Sequence, residues 1–172
     1  VGESGEEESE TPDRNRRFGI NWRLEQMFLG QFQHNLDAKN RLTVPARFRE
    51  VLLSEGAYVM QGFDRNLMVL PTATFETISH RVNQMSMTDP KTRLLRRLIF
   101  STANYVEVDK VGRILIPQFL RDAANLENGV VVVGNGDYFE IWSPELWNVQ
   151  IEDLQDAEIN ADRFAGLFLT SE

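Results

Sequence analysis

The chain has 172 residues, no cysteine, and 26 acidic against 18 basic side chains, a formal charge of −8. The lack of cysteine excludes a disulfide scaffold, a thiol nucleophile, a zinc finger and a cysteine-held iron–sulfur centre, and it fits a reducing compartment. The length suits one domain or two small ones, no apolar run approaches the ~20 residues that span a bilayer, and the acidic balance taken alone argues against nucleic acid.

Residues 1–26 read as a disordered acidic extension. Glu3, Glu6, Glu7, Glu8 and Glu10 stand among Gly, Ser, Thr and Pro, followed by Arg14, Arg16 and Arg17. Such a stretch buries too little apolar surface to offset its chain entropy. Met27 opens the patterned sequence and reads as an alternative start. No signal-peptide pattern precedes it, so a soluble cytoplasmic protein is expected.

The first patterned unit, 27–71, begins with a strand over 32–37. Asp37-Ala38-Lys39-Asn40 is a turn, and Arg41 to Val44 is the returning strand. An aspartate opening a turn accepts backbone N–H bonds, and asparagine tolerates the positive φ that a G1 bulge requires. Pro45 suits the first turn of a short helix near 45–53. Paired strands follow at 57–62 and 66–70, joined through Phe63 to Asn66.

A helical hairpin, 72–101, comes next. Phe75, Ile78, Val82 and Met85 share one face of the first helix. Asp89 and Pro90 form a cap and first turn for the second, over about 90–101. That helix offers Leu94, Leu95, Leu98 and Ile99 for burial, and Lys91, Arg93, Arg96 and Arg97 elsewhere. These cations read as a solvated face, a phosphate-contact face or a charged interface.

The second unit, 102–143, repeats the first. An offset of 72 aligns Asp37 with Asp109, Arg41 with Arg113, Pro45 with Pro117 and Arg49 with Arg121. Leu42 falls on Ile114, Val44 on Ile116, Asn40 on Gly112, Gly62 on Gly134, Leu70 on Trp142 and Phe75 on Trp147. So many matches at one offset mark two copies of one supersecondary unit. Its helix is expected near 117–125 and its paired strands at 130–134 and 137–142. The acidic C-terminal region, 144–172, carries a helix over about 144–155 capped by Ser143, and a further helical turn within 160–169. Residues 140–172 hold eight acidic side chains against Arg163. Solubility or a cationic neighbouring subunit would account for them.

No catalytic constellation stands out. His34 and His80 lack ligand partners at metal spacing, so no metal and no cofactor are expected. Asp137 and Glu140 flank aromatics in a strand, and a solvent-facing strand edge accounts for them better than an acid/base pair. The doubled Asp-x-x-x-Arg turn is the specific signal. Residues 31–50 carry four basic side chains against two acidic ones. A two-stranded ribbon fits the major groove, and arginine reads guanine O6 and N7 bidentately. The same pair also serves as a purely structural clasp, and the residues alone leave both readings open.

Met-Phe-Leu-Gly at 27–30, Leu-Asp-Ala-Lys-Asn-Arg-Leu-Thr-Val-Pro at 36–45, Val-Asp-Lys-Val-Gly-Arg-Ile-Leu-Ile-Pro at 108–117 and Phe-Glu-Ile-Trp at 139–142 resemble the MraZ family. The resemblance covers about 27–169. It implies an α+β, β-rich fold of two tandem AbrB-like swapped-hairpin units, a double-psi-like pseudo-dimer with an inserted helical hairpin. It implies a repressor, not an enzyme, of the division and cell-wall gene cluster that contains its own gene. The partners implied are double-stranded promoter DNA with direct repeats and a ring-shaped homo-oligomer, octamer or dodecamer, with no membrane; the place implied is the nucleoid. Carried over by position, the DNA-binding motif falls on Asp37, Lys39, Asn40, Arg41, Asp109, Lys110 and Arg113. Lys39 and Arg41 are the strongest contact candidates, and Asp37 shapes the turn. Lys110 lies one place after its aspartate and Lys39 two, so the copies are expected to contribute unequally.

AbrB-like folds also occur in antitoxins that hold a toxin through a tail, and the acidic C-terminal region would then occupy a basic partner. The net charge excludes neither reading. Residues 1–26 carry −3 and residues 140–172 carry −7, so the stretch between them is +2. A lone subunit should bind DNA weakly, and an oligomer aligning several basic turns should bind usefully.

Overall fold

The structure, a computed structural model, describes residues 27–167. The expectations for 1–26 and for 168–172 lie outside the described residues. In chain order the elements are β1 (Gln31–Asn35), β2 (Arg41–Thr43), α1 (Ala46–Glu55), β3 (Ala57–Gln61), β4 (Leu67–Pro71), α2 (Thr72–Gln84) and α3 (Pro90–Thr102). Then follow β5 (Asn104–Val106), β6 (Arg113–Leu115), α4 (Gln118–Ala123), β7 (Gly129–Gly134), β8 (Phe139–Trp142), α5 (Pro144–Gln155) and α6 (Ala157–Phe164). The fold is α+β with two tandem units.

The units are interlocked. The main sheet has the order β1-β7-β8-β4-β3-β5, antiparallel throughout, and β2 pairs only with β6. Each unit's first strand therefore joins the other unit's sheet half. The reading of 32–37 and 41–44 as two arms of one local hairpin is corrected here. The arms meet only beside the turn, at the Leu36–Leu42 bridge and the Asp37–Arg41 bond. β1 instead lies along β7, with His34 opposite Val130 and Phe32 opposite Val132. Alternating side chains fix which face a strand buries but not which strand it joins.

The exchange encloses one core. Leu42 and Ile114 face each other across β2–β6 and are fully buried, with Val44 and Ile116 beside them. Leu52 and Leu120, from the helices that follow, pack against Val59, Val69, Val132 and Ile141 of the sheet. Phe28, Phe32, Phe48 and Phe139 form an aromatic cluster with ring centroids 4.9 to 5.4 Å apart. A second cluster, Met60, Met68, Leu70, Val82 and Ile99, seats α2 and α3 on the sheet's outer face.

Local signals account for the helix ends. Asp89 Oδ1 accepts from Lys91 N at 2.9 Å with Pro90 at the first helical position. Ser143 Oγ accepts from Leu146 N ahead of α5. Pro45 and Pro117 stand at the N-cap itself, one place before the expected first turn.

Two further expectations change. Gln61 stands opposite Leu67, and Gly134 stands opposite Phe139. The spatial counterpart of Gly134 is thus Gln61, not Gly62: the second copy gains one residue before β7 and loses one in the following turn. Glu140 lies on β8, an interior strand between β7 and β4, so it is not at a sheet edge. It accepts from Trp142 Nε1 at 2.8 Å.

Phe48 touches three of the other core aromatics and is 1% exposed. Phe48→Ala should lower unfolding free energy by ~3–5 kcal/mol in a denaturant titration, as expected for a large buried ring replaced by a cavity. A loss under ~1 kcal/mol would contradict this packing.

Candidate nucleic-acid interface

Each Asp-x-x-x-Arg segment folds by its own chemistry. The Asn40 N–H donates to Asp37 O at 2.9 Å, and Asp37 N–H to Arg41 O at 3.0 Å. The Asp37 carboxylate accepts from Lys39 N and Arg41 N through Oδ1, both at 2.9 Å, and from Arg41 Nε through Oδ2 at 2.8 Å. The second copy reproduces this pattern. Asp109 Oδ1 accepts from Val111 N and Arg113 N at 2.9 Å, and Oδ2 from Arg113 Nε at 2.8 Å. Asn40 and Gly112 take φ of 60° and 85°. The bulge therefore uses the two residue types that tolerate this conformation best.

The swapped ladder then clasps the two turns. Val44 N–H donates to Gly112 O at 2.9 Å and Ile116 N–H to Asn40 O at 3.1 Å. Arg121 Nη1 donates to Asn40 Oδ1 at 2.7 Å. On the other side, Arg49 lies so close to Gly112 that a Cβ there would stand 2.5 Å from its Nε. Arg113 Nη1 also reaches Asp37 Oδ2 at 3.6 Å, an ion pair between the copies. Arg49 and Arg121 are thus part-buried braces, each also donating through Nε to a backbone carbonyl, Val44 O and Ile116 O.

The outward face of the ladder carries Arg41 opposite Leu115 and Thr43 opposite Arg113. Among the described residues, Nε is the only guanidinium atom of Arg41 with a hydrogen-bond or ion-pair partner, so its Nη edge is open. Lys39, Arg47 and Lys110 are exposed. The expected site residues Asp37, Lys39, Asn40 and Arg41 are contiguous, and Asp109, Lys110 and Arg113 stand beside them across the ladder.

The two faces are unequal, as the shifted lysines imply, and the inequality goes further than lysine placement. At the repeat offset, Lys39, Thr43 and Arg47 correspond to Val111, Leu115 and Phe119. The latter three are 61%, 55% and 47% exposed. One copy presents cations and a hydroxyl where the other presents apolar groups. The shifted Lys39 and Lys110 already make the copies unequal; the larger signal is in the outward-facing positions where a cation or hydroxyl of one copy aligns with an apolar residue of the other.

The other candidates settle into structural roles. Arg93 donates to Met87 O and Thr88 O, and Arg96 to Val82 O, closing the α2–α3 connection. Burial, with the Arg49 guanidinium adding to it, holds the His34 imidazole below its ordinary 6.5. His80 bonds to Gln84 on the α2 surface. Among the described residues no cluster of His, Asp and Glu could hold a metal ion, and no helix is long and apolar enough to cross a membrane.

Fold and site together define a tandem swapped-hairpin protein that presents two clasped Asp–Arg turns. The sequence matches the family described as "MraZ protein, putative antitoxin-like" over residues 27–98 and again over 99–166. The chain belongs to the MraZ family. It is 45% identical over 126 residues to a Transcriptional regulator MraZ of Thermomicrobium roseum, covering 73% of this chain and 88% of that one. It is 44% identical over 140 residues to that of Roseiflexus castenholzii, covering 81% and 94%. A third, from Nitrosospira multiformis, is 44% identical over 129 residues, covering 73% and 88%.

The turn carboxylates link the stability of the turns to pH. The Arg41 backbone N–H, then its side chain and the Lys39 N–H, outweigh partial burial and hold Asp37 below its ordinary 3.8. For Asp109, partial burial acts upward, but the Arg113 backbone and side chain and the Val111 N–H outweigh it. Both groups are more acidic folded than unfolded. Their stabilisation is complete above the ordinary value of 3.8 and is lost as pH falls from there through the depressed folded values. The double variant Asp37→Asn, Asp109→Asn should be less stable than the parent near neutral pH, and the gap should close on acidification through that window. Thermal unfolding against pH measures it. A gap independent of pH would contradict the proton linkage.

Proposed function

We propose that this chain is a sequence-specific DNA-binding transcription regulator that acts as a repressor of the division and cell-wall gene cluster containing its own gene. The observation that carries this is the open Nη edge of Arg41 on an outward ribbon face, with exposed Lys39 in the same turn and Asp37 fixing both. A guanidinium whose Nε is tied down can still present its Nη edge to guanine O6 and N7. Lys39 supplies a phosphate or base contact. The ribbon is the β2–β6 ladder, one strand from each unit, because β1 is committed to the main sheet. Asp37, Asn40 and Asp109 shape the turns and touch no phosphate. Arg113 and Lys110 contribute less, because Arg113 also reaches Asp37 and the neighbouring surface is apolar.

Units 27–71 and 102–143 are assigned the ribbon; among the described residues the helical hairpin 72–101 and helices α5 and α6 supply no strand to it. Affinity comes from a ring-shaped homo-oligomer, octamer or dodecamer, whose neighbouring ribbons meet successive direct repeats upstream of the gene. The protein works in the cytoplasm on the nucleoid, and no catalysis is assigned to it. The naming of the relatives as transcriptional regulators supports this reading.

Mobility shift against the gene's own upstream region tests it. Arg41→Ala should cost ~1–3 kcal/mol of binding and relax sequence preference. Lys39→Ala should weaken binding to all sequences and lower the salt slope by ~1. Unchanged binding by Arg41→Ala would remove the proposal.

A further inference from the structure

The two halves of the main sheet are finished differently. In the first half, α3 lies beside α2 on the sheet, over β3: Val82 and Ile99 are buried with Met60, Met68 and Leu70, and Phe75, Ile78 and Leu95 pack against them. The repeat places α5 where α2 stands, with Trp147 at the position of Phe75 and Leu154 at that of Val82. Among the described residues α5 has no such companion helix beside it on the sheet. It rests on β7, none of its residues is buried, and Leu154 is 57% exposed. α6 bonds only to its C-terminal end, through Asn160 to Leu154 O and Arg163 to Asp153.

Trp147, Ile151 and Leu154 stand at i, i+4 and i+7, one stripe of a helix. Beside that stripe an open groove of about 680 Å³ runs between α5 and the β1–β7 edge, lined by Gln31, Gln33, Val131, Asn148 and Ile151. Trp147 is half-covered, against Trp142 and donating to Gln31 Oε1 at 2.8 Å, whereas Leu154 is open; a half-covered apolar stripe next to a groove is suited to meet another element. The fold itself shows which kind: at the related place, a helix.

Charge identifies the occupant. Residues 144–164, α5 and α6, carry six acidic side chains against one basic. The α2–α3 hairpin, residues 72–102, carries five basic against two acidic. Its outer surface exposes Met85, Met87 and Leu94, the last at 67%. Among the described residues Lys91 and Arg97 make no ion pair, whereas Arg93 and Arg96 bond within the hairpin. An apolar, cationic surface on one part of the chain thus complements an apolar, anionic surface on another.

We propose that the α2–α3 hairpin of a second copy docks on the Trp147–Ile151–Leu154 face of α5 and the groove beside β1. Each copy offers one hairpin and one groove, so the contact is heterologous and repeats from copy to copy until it closes. The inference rests on the assembly proposed above and supplies its interface. It uses no residue of the Asp–Arg turns. It also gives the acidic C-terminal region and the basic helical hairpin one shared purpose.

The test uses the full chain and its mass in solution by sedimentation velocity. The parent should assemble, whereas Leu94→Asp in the hairpin and Ile151→Asp in the groove should each fall to the mass of one chain, 19.8 kDa. Asn148→Arg, at an exposed position, repeats the groove test if Ile151→Asp fails to fold by circular dichroism. The two variants mixed in equal amounts should give a one-to-one dimer and nothing larger, because only one intact hairpin and one intact groove remain to meet. Variants that assemble like the parent would overturn this interface and leave the ring itself standing. Variants that stay single even when mixed would overturn the hairpin-to-groove pairing. A parent that sediments as one chain would overturn both the interface and the ring.

Discussion

The structure depends on one short ladder. β2 and β6 are three residues each, yet their pairing sets how the two locally formed turns stand against each other. Leu42 opposite Ile114 closes the core from below the sheet. Alongside that pairing, each unit sends its first strand to the other unit's half. The exchange makes the two copies one cooperative body, since neither can bury its strands alone. It also sets the two Asp–Arg turns against each other, where Asn40 meets Arg121 and Gly112 meets Arg49.

Electrostatics explains how an aspartate fits in a surface proposed to face an anion. A part-exposed ion pair contributes little to stability, since solvent screens it and holding the side chains costs entropy. Asp37 acts instead through direction. One of its oxygens is spent on two backbone N–H groups and the other on Arg41 Nε. The arginine is left with one open edge and little freedom to move it. Pre-orienting a guanidinium in this way lowers the entropy lost on binding. The carboxylate's own charge is absorbed by the cations it holds, including Arg113 of the other copy.

Much of this was legible in the sequence because it is local. The turn needs an aspartate, a residue tolerant of positive φ and a following arginine, all within five positions, and both copies state it. The ends of α3 and α5 were legible through Asp89–Pro90 and Ser143–Pro144. Strand partnership was not. Phe32 to Asn35 shows which face it buries, but the choice between Arg41–Val44 and Val130–Val133 depends on where the core closes. The interior position of Glu140 was hidden for the same reason. The Asn40–Arg121 brace joins residues 81 apart and leaves no local trace. The division into a cationic copy and an apolar copy was present in Lys39/Val111 and Arg47/Phe119, but only a comparison of outward-facing positions exposes it.

The central claim is that the clasped turns of the swapped ladder are the surface that meets DNA. Amide hydrogen exchange of the full chain, with and without duplex from the gene's own upstream region, tests it most directly. The account predicts that DNA-induced protection concentrates in 37–43, extends more weakly to 109–115, and leaves the α2–α3 hairpin and α5 as they were without DNA. Protection centred on those helices, with the two turns unchanged, would contradict it.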